Sequence, residues 1–324
     1  MNKTNFKFQF IILAVGIVLM AAKFLAFYIT ESNAVLTDAL ESIINVMAGS
    51  FALFSLHLAA QPKDENHPYG HGKIEFISAT IEGTMIFAAG LAIIAKSVYN
   101  FFDPPNIKAL DLGIYISIAT TVINFILGKI AEIKGKKSNS ITLIAGGKHL
   151  QTDTYSTIGL IAGLIVIHFT QVLWLDSVAA ILFSLFIIYT GYKIVRESIS
   201  GIMDEADYQT IAKVINLINK YRKPEWIDVH NLRVIRYGGS LHVDCHITLP
   251  HYHSVQQGHD EIDELDVIMK QEFGATTETF IHTDPCIASS CRLCLLSDCK
   301  VRVHAFERKV DWNTENVMQN KKHK

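Results

Sequence analysis

The sequence lacks several motifs that would point to an enzyme or a nucleotide-driven machine. It has no Gly-x4-Gly-Lys-Ser/Thr phosphate-binding loop, so an ATP-driven pump is disfavoured and an ion gradient becomes the default energy source. It has no His-Glu-x-x-His motif, which argues against a membrane metalloprotease. It also lacks an excess of charge of one sign. The 29 basic and 31 acidic residues give a net charge of −2, so nucleic acid is not an expected partner.

Long hydrophobic runs are what the sequence has instead. Half of its 324 residues are hydrophobic, and they concentrate between residues 8 and 200. A run of about 20 apolar residues can cross a bilayer as a helix. Six such runs cover residues 8–29, 34–60, 76–101, 110–130, 150–172 and 175–195. We therefore predict an integral membrane domain over residues 1–204, because charged loops between the runs disfavour helices buried in a soluble protein.

The distribution of lysines over the loops predicts the orientation of this domain. Lysines concentrate at the N-terminus and in the loops 61–73 and 129–148. The positive-inside rule assigns such loops to the cytoplasm. The first run is too long for a cleavable signal, and no small-residue cleavage site follows it. Six spans then place both termini and the polar C-terminal half in the cytoplasm, with the protein in the cell (inner) membrane.

Two pairs of polar side chains with helical spacing lie in or beside the apolar runs. His149 and Asp153 are four residues apart where the fifth run begins, and Glu41 and Asn45 have the same spacing within the second run. Residues at i and i+4 project from the same face of a helix. Ionisable groups are costly in a membrane helix, so an ion or proton site is the default hypothesis. Two helices that each offer such a pair supply the four ligands of one metal site.

The chemistry of these side chains links metal binding to protons. Metal ligands must be deprotonated, so a metal ion and protons compete for the same atoms. His149 is the natural proton exchanger, because the ordinary pKa of histidine is about 6.5. The structural alternative is a histidine that only hydrogen-bonds within the bundle. Asp38, three residues before Glu41 on the same face, is a fifth ligand or proton relay in one interpretation and a hydrated carboxylate near the outer mouth in the other.

The first lysine-bearing loop also carries potential metal ligands. Its stretch from residue 67 to residue 75 is His-Pro-Tyr-Gly-His-Gly-Lys-Ile-Glu. Asp64, His67 and His71 can gather into a metal site in a turn shaped by glycine and proline. A solvated loop with incidental histidines is an equally weighted alternative.

The C-terminal half has the pattern of a small α+β domain over residues 205–285. Periodicity predicts helices over 207–221 and 254–273 and strands over 228–237, 240–249 and 276–282. The Gly238-Gly239 pair between the first two strands is a hairpin signal. Apolar and polar residues alternate along the second strand, so one face of the sheet is expected to be buried and the other polar.

Over nearly its whole length the sequence resembles the cation diffusion facilitator family of divalent-metal/proton antiporters. The resemblance depends on the stretch 67–75, on His149-x-x-x-Asp153 and on His282-Thr283-Asp284-Pro285, together with the order of six spans and a cytoplasmic domain. It implies an α-helical bundle of six transmembrane helices and a ferredoxin-like αββαβ cytoplasmic domain, assembled as a homodimer. It also implies alternating access, in which a divalent transition-metal cation leaves the cytoplasm as protons enter.

The resemblance further implies roles for individual residues. The family's transport site takes two residues from the second span and two from the fifth, which here are Glu41, Asn45, His149 and Asp153. A lysine and an aspartate that couple the membrane and cytoplasmic parts correspond to Lys73 and Asp204. Two regulatory ions bind the family's cytoplasmic domain, and the matching positions are His230, His246, His259, His282 and Asp284. Surface histidines on a polar sheet face are the alternative for this last set.

The second-span pair departs from the family pattern, which usually has histidine or aspartate first and aspartate second. One imidazole with three oxygen donors is a harder ligand set than two imidazoles with two carboxylates. Mn²⁺, Fe²⁺ and Co²⁺ therefore become stronger candidates for the transported metal beside Zn²⁺. The Irving–Williams order still favours Zn²⁺ over Mn²⁺. The departure bears on the identity of the metal and not on the location of the site. A membrane metal sensor that binds without transporting is the competing function, supported only by this departure.

Four of the five cysteines cluster in the tail 286–324, as Cys286-x4-Cys291-x2-Cys294-x4-Cys299. Disulfides are not expected in a cytoplasmic domain. Such a cluster can hold structural zinc or an iron–sulfur centre, and free reduced thiols are the remaining alternative. The polar, lysine-rich segment beyond Val310 is predicted to be disordered.

Overall fold

The computed structural model of the chain describes residues 3–30, 33–102, 111–170 and 174–324. Several helical residues in the N-terminal part, among them Asp38 and Glu41, are described through their backbone only. Two compact units divide the chain, residues 1–203 and residues 204–324. Each unit is considered by itself below.

Six long helices form the first unit. Their bounds are α1 Lys3–Thr30, α2 Asn33–Ala59, α3 Ile74–Phe102, α4 Asp111–Ser138, α5 Ile141–Thr170 and α6 Trp174–Ile202. In the described residues, three stretches are long and apolar enough to cross a membrane: Thr4–Leu25, Ser42–Ala59 and Ile74–Tyr99. They lie in α1, α2 and α3. For α4, α5 and α6 a membrane span stays a prediction.

Glycine allows the helices of this unit to pack closely. Gly83 and Gly191 face each other across the α3–α6 contact, and a Cβ atom on Gly191 would lie 2.6 Å from the Phe87 backbone nitrogen. Gly147 of α5 makes a similar approach to α4, where a Cβ would lie 2.7 Å from the Glu132 nitrogen. Small residues at helix contacts compensate for the absence of a hydrophobic driving force in lipid, because they let backbones approach. The Gly147 contact positions α5 against α4, and α5 also contacts α3.

The second unit has the predicted αββαβ order. Its elements are α7 Tyr208–Lys220, β1 Asp228–Tyr237, β2 Ser240–Leu249, α8 Val255–Phe273 and β3 Glu278–Pro285, followed by a 3₁₀ turn at Ala288–Arg292 and a short helix α9 Thr314–Val317. The sheet order is β1-β2-β3, with β1 and β2 antiparallel and β2 and β3 parallel. The Asp207 side chain accepts hydrogen bonds from two backbone N–H groups of the first turn of α7 and so begins that helix.

The segment beyond Val310, which the sequence predicts to be disordered, is ordered in the structure. Val310, Trp312 and Val317 are buried in the same core as Trp226 and the sheet. The Arg222 guanidinium lies 3.7 Å from the Trp312 ring centroid, and its Nη1 donates to the Val310 carbonyl at 2.6 Å. A few apolar side chains and one cation–π contact therefore order a polar segment, because they add to a core that already exists.

Candidate metal sites

The first cluster lies between α2 and α5 and contains three of the four residues assigned to the transport site. The Asn45 amide Nδ2 donates to the Asp153 carboxylate at 2.7 Å. The Asn45 Oδ1 lies 3.0 Å from His149 Nε2. One amide therefore bridges the imidazole and the carboxylate, which stand one helical turn apart on α5. The side chains of Glu41 and Asp38 lie outside the described residues, and their roles stay predictions.

His149 is oriented so that one ring nitrogen has no partner. Its side chain is buried, and in the described part of the chain its Nδ1 makes no hydrogen bond. Buried polar atoms almost always have a partner, and an exception calls for an explanation such as an unseen ion or a functional role. A proton or a metal ion on Nδ1 would satisfy this atom.

Glu82 of α3 is a second buried ionisable group in this unit, and the sequence analysis missed it. Only 2% of its surface is exposed, and its Oε2 has no hydrogen-bond partner among the described residues. The carboxylate points at the α5 backbone, where a Cβ on Gly146 would lie 3.3 Å from Oε2. Gly146 is three residues before His149 and therefore shares its helix face. The signal was available in the sequence, because Glu82 is the sole acidic residue of the run 76–101.

The loop before α3 brings Asp64, His67 and His71 together. His67 Nδ1 lies 3.0 Å from Asp64 Oδ1, and His71 Nε2 lies 3.3 Å from Asp64 Oδ2. One ligand atom from each residue falls within 4.8 Å of the other two. Desolvation raises the pKa of Asp64, but hydrogen bonds from His67 and the charges of His67 and His71 outweigh it and hold the pKa below its ordinary value. The turn can therefore chelate a cation.

A third cluster lies on the sheet of the second unit. His230, His246 and His282 are neighbours across β1, β2 and β3. Asp284 Oδ2 lies 3.4 Å from His230 Nε2 and 3.2 Å from His246 Nδ1. One ligand atom each of His230, His246 and Asp284 falls within 4.8 Å of the other two. His282 Nε2 lies 3.8 Å from Asp284 Oδ1. His259 lies on α8, where it is largely exposed and 3.6 Å from Asp263.

The C-terminal residues reach this cluster, which the sequence analysis did not foresee. Lys322 Nζ lies 3.6 Å from Asp284 Oδ1 and donates to the Pro285 carbonyl at 3.0 Å. His323 Nδ1 pairs with Asp228, whose other oxygen lies 3.3 Å from His230 Nδ1. Burial raises the pKa of Asp228, but its contacts with His230 and His323 outweigh burial and hold the pKa well below its usual range. An ammonium group thus shares Asp284 with the imidazoles.

Two further predicted sets are the Lys73–Asp204 pair and the four cysteines of the tail. Lys73 donates to the Ile202 carbonyl at 3.4 Å, and Asp204 adopts a positive φ of 55° where the second unit begins. Their pairing stays a prediction. Cys286, Cys291, Cys294 and Cys299 are reduced and line one cavity of about 90 Å³.

Comparison with known proteins assigns both units. A model of the cation efflux transmembrane domain matches residues 9–203, and a model of the cation efflux protein cytoplasmic domain matches residues 204–286. A transporter of Synechocystis sp. is 32% identical over 85% of this chain and 89% of its own. The manganese efflux system protein MneP of Bacillus subtilis is 25% identical over 86% of this chain and 95% of its own. The cation-efflux pump FieF of Pectobacterium atrosepticum is 23% identical over 84% and 90%.

These matches cover the helical unit and the αββαβ unit in the same order as in the structure, and they describe membrane transporters of cations rather than enzymes. The protein is therefore a membrane protein with a cytoplasmic C-terminal domain, and it belongs to the cation diffusion facilitator family of metal-cation efflux proteins.

Proposed function

We propose that this protein is a secondary transporter that exports a divalent transition-metal cation from the cytoplasm in exchange for protons. The observation that carries the proposal is the α2–α5 cluster, in which Asn45 bridges His149 and Asp153 at 3.0 and 2.7 Å. The cluster places a histidine, a carboxylate and an amide oxygen within reach of one ion. We assign Glu41 as the fourth ligand, on the family pattern.

Ion exchange follows from the chemistry of these atoms. A divalent cation binds only deprotonated ligands, so its arrival displaces protons from His149 and Asp153, and returning protons release it. To coordinate the ion through Oδ1, the Asn45 amide must give up its hydrogen bond with His149 Nε2. The amide therefore holds the ligands in place while the site carries protons. Glu82 is buried, and its Oε2 has no partner in the described part of the chain, so it is a second proton-binding group in this proposal.

The donor set favours the harder metals. With Glu41 and Asn45 on the second span, the set has one imidazole and three oxygen donors, and oxygen donors suit Mn²⁺ better than imidazole does. One relative is described as a manganese efflux protein, which supports testing Mn²⁺ first. Zn²⁺, Co²⁺, Ni²⁺ and Cd²⁺ are the competitors to be compared with it.

The cytoplasmic unit has a regulatory role in this proposal. His230, His246 and Asp284 suit a divalent ion, with His282 beside them. An ion that binds only the assembled homodimer would stabilise it by mass action. We place both termini in the cytoplasm and the chain in the inner membrane, and we assign Lys73 and Asp204 to the coupling of the two parts.

Transport in proteoliposomes tests the proposal. Purified protein is reconstituted with a pH-sensitive dye inside the vesicles, and Mn²⁺, Fe²⁺, Co²⁺, Ni²⁺, Zn²⁺ or Cd²⁺ is added outside. We expect uptake of one or two metals together with a change in internal pH, and loss of both signals in His149→Ala/Asp153→Ala. A matched control is His304→Ala, because that histidine is exposed and is assigned to no metal site. Metal bound by the protein without flux of any metal would overturn the transporter and favour a metal sensor.

A further inference from the structure

The cysteines of the tail converge in space as well as in sequence. Cys286 follows β3, and its backbone N–H donates to the Leu249 carbonyl at 2.8 Å, which extends the pairing of β3 with β2. Cys291 lies in the 3₁₀ turn, while Cys294 and Cys299 follow it. All four line the same cavity of about 90 Å³, beside the loop between β2 and α8.

Ordinary packing does not account for this arrangement, as the fifth cysteine shows. Cys245 is 2% exposed, lies within the apolar core and has its thiol pKa raised to about 12 by burial. A buried cysteine of this kind behaves as a small hydrophobic side chain. Of the four tail cysteines only Cys294 is buried, and all four border a void rather than filling one.

Polar groups hold the loop in a shape that keeps the thiols around the cavity. The Arg302 guanidinium donates to the carbonyls of Cys291 at 2.8 Å and Cys294 at 3.1 Å, and also to the Leu296 carbonyl. The backbone N–H of His251 donates to the Cys286 sulfur at 3.3 Å.

The segment that carries the last cysteines has no regular secondary structure to support it. Between Arg292 and Thr314, all of which the structure describes, the chain forms no helix or strand. Connections of that length without regular structure are uncommon in compact domains unless they serve a function. A metal ion held by loop side chains is a usual way to stabilise such a segment.

We propose that Cys286, Cys291, Cys294 and Cys299 form a thiolate site for a single tetrahedral Zn²⁺ ion. The spacings of two and four residues between successive cysteines fit structural zinc sites, and the reducing cytoplasm keeps the thiols available. Within residues 174–324, no three of these sulfurs lie within 4.8 Å of one another. Zinc–sulfur bonds of about 2.3 Å bring ligand sulfurs to about 3.8 Å apart. Metal binding therefore closes the loop around the ion, separately from the transport site and from the histidine cluster.

Cobalt(II) substitution of the full-length protein in detergent tests the proposal, because sulfur-to-cobalt charge-transfer absorption reports thiolate ligation specifically. The measurement is made in His230→Ala/His246→Ala, which removes the neighbouring histidine cluster. We expect charge-transfer and tetrahedral ligand-field bands that saturate at one Co²⁺ per protomer and disappear when Zn²⁺ is added. Cys291→Ser/Cys294→Ser should lose the bands, and the control Cys245→Ala should keep them.

Three results would overturn the assignment: no sulfur-to-cobalt absorption with all thiols reduced, bands that survive in Cys291→Ser/Cys294→Ser, or purified protein that contains iron with acid-labile sulfide. If the serine variant fails to fold, thiol reactivity of the unmodified protein decides the question. Zn²⁺ should protect four thiols from a thiol reagent, and a chelator should restore their reactivity. Equal reactivity with and without Zn²⁺ contradicts the proposal. None of these outcomes depends on transport.

Discussion

The α2–α5 cluster and the sheet cluster use the same residue types in opposite ways. In the helical unit, His149 and Asp153 are linked by the neutral Asn45 amide, and His149 Nδ1 has no partner among the residues that the structure describes. On the sheet, Asp284 is shared by two imidazoles within 3.4 Å and by the Lys322 ammonium at 3.6 Å. In the α2–α5 cluster, this nitrogen of His149 remains available to a proton or a metal ion. The sheet cluster already contains a cation.

In the proposed function, this difference separates the role of the transport site between α2 and α5 from that of the regulatory site on the sheet. A site that must load and unload an ion in each cycle needs ligands whose bonds exchange readily, and an amide bridge provides that. A site that responds to the metal level gains from a competitor, because binding then requires enough metal to displace the lysine.

Asp153→Ala should break the α2–α5 cluster most completely. The substitution removes a negative charge that faces the ion in a low-dielectric site, and loss of such a partner costs about 3 kcal/mol or more. We expect the initial rate of metal uptake into proteoliposomes to fall by about a hundredfold. The control His304→Ala should transport at the unmodified rate. If Asp153→Ala takes up metal at a rate within a few-fold of the unmodified protein, this carboxylate is not a ligand of the transport site.

Glu82→Gln should separate proton transfer from metal binding. The amide keeps the shape of the side chain but does not take up a proton, so we expect uptake to slow about tenfold and its pH dependence to flatten. The matched control is Glu132→Gln, whose carboxylate is paired with Lys136 at 2.6 Å. Rates measured across a pH series decide the outcome. A pH profile identical to that of the unmodified protein would leave Glu82 with a structural role only.

Asn45→Asp should change which metal the transport site prefers. The substitution supplies the aspartate that the family usually has at this position and replaces a neutral ligand by a charged one. Because the Irving–Williams order favours Zn²⁺ over Mn²⁺ at comparable sites, we expect Zn²⁺ to compete with Mn²⁺ about tenfold better than before. Competition of Zn²⁺ with Mn²⁺ uptake measures the change, with Asn45→Ala as the control for loss of the bridge. An unchanged ratio of the two metals would show that selectivity comes from elsewhere.

Lys322→Met should strengthen metal binding at the sheet cluster, because it removes the ammonium group that competes with the metal for Asp284. The methionine keeps much of the side-chain volume, while Asp284 loses its ammonium partner. Partly exposed ion pairs contribute at most about 1 kcal/mol, so we expect metal to bind the cluster about fivefold more tightly. Calorimetry on full-length protein that also carries Asp153→Ala, Asp64→Ala and Cys291→Ser/Cys294→Ser isolates this site, and Lys309→Met is the control. Weaker binding in Lys322→Met would mean that the lysine supports the site.

Much of the fold follows from local patterns in the sequence. Alternation along residues 240–249 and the Gly238-Gly239 turn determine the hairpin, and the i, i+4 spacing of His149 and Asp153 places both on one helix face. These are short-range features, so one sequence is enough to find them. The boundaries moved only slightly, since the last strand begins at Glu278 rather than at residue 276.

The parts that the sequence did not predict depend on distant contacts. Trp312 and Val317 are too few to form a core alone, and their docking on the existing core of the second unit cannot be recognised from a polar tail. The arrival of Lys322 at Asp284 follows from that docking. Glu82 was missed for a different reason, because averaging over a long apolar run hides a single carboxylate.

Proton release on metal binding tests the central claim, that metal and protons compete for the α2–α5 cluster. Calorimetric titration of full-length protein with Mn²⁺, in buffers of different ionisation enthalpy, counts the protons released. The His230→Ala/His246→Ala/Asp64→Ala background silences the other histidine sites. We predict net proton release that disappears, together with binding, in His149→Ala. Metal binding with no proton release, or release that persists without His149, would contradict the account.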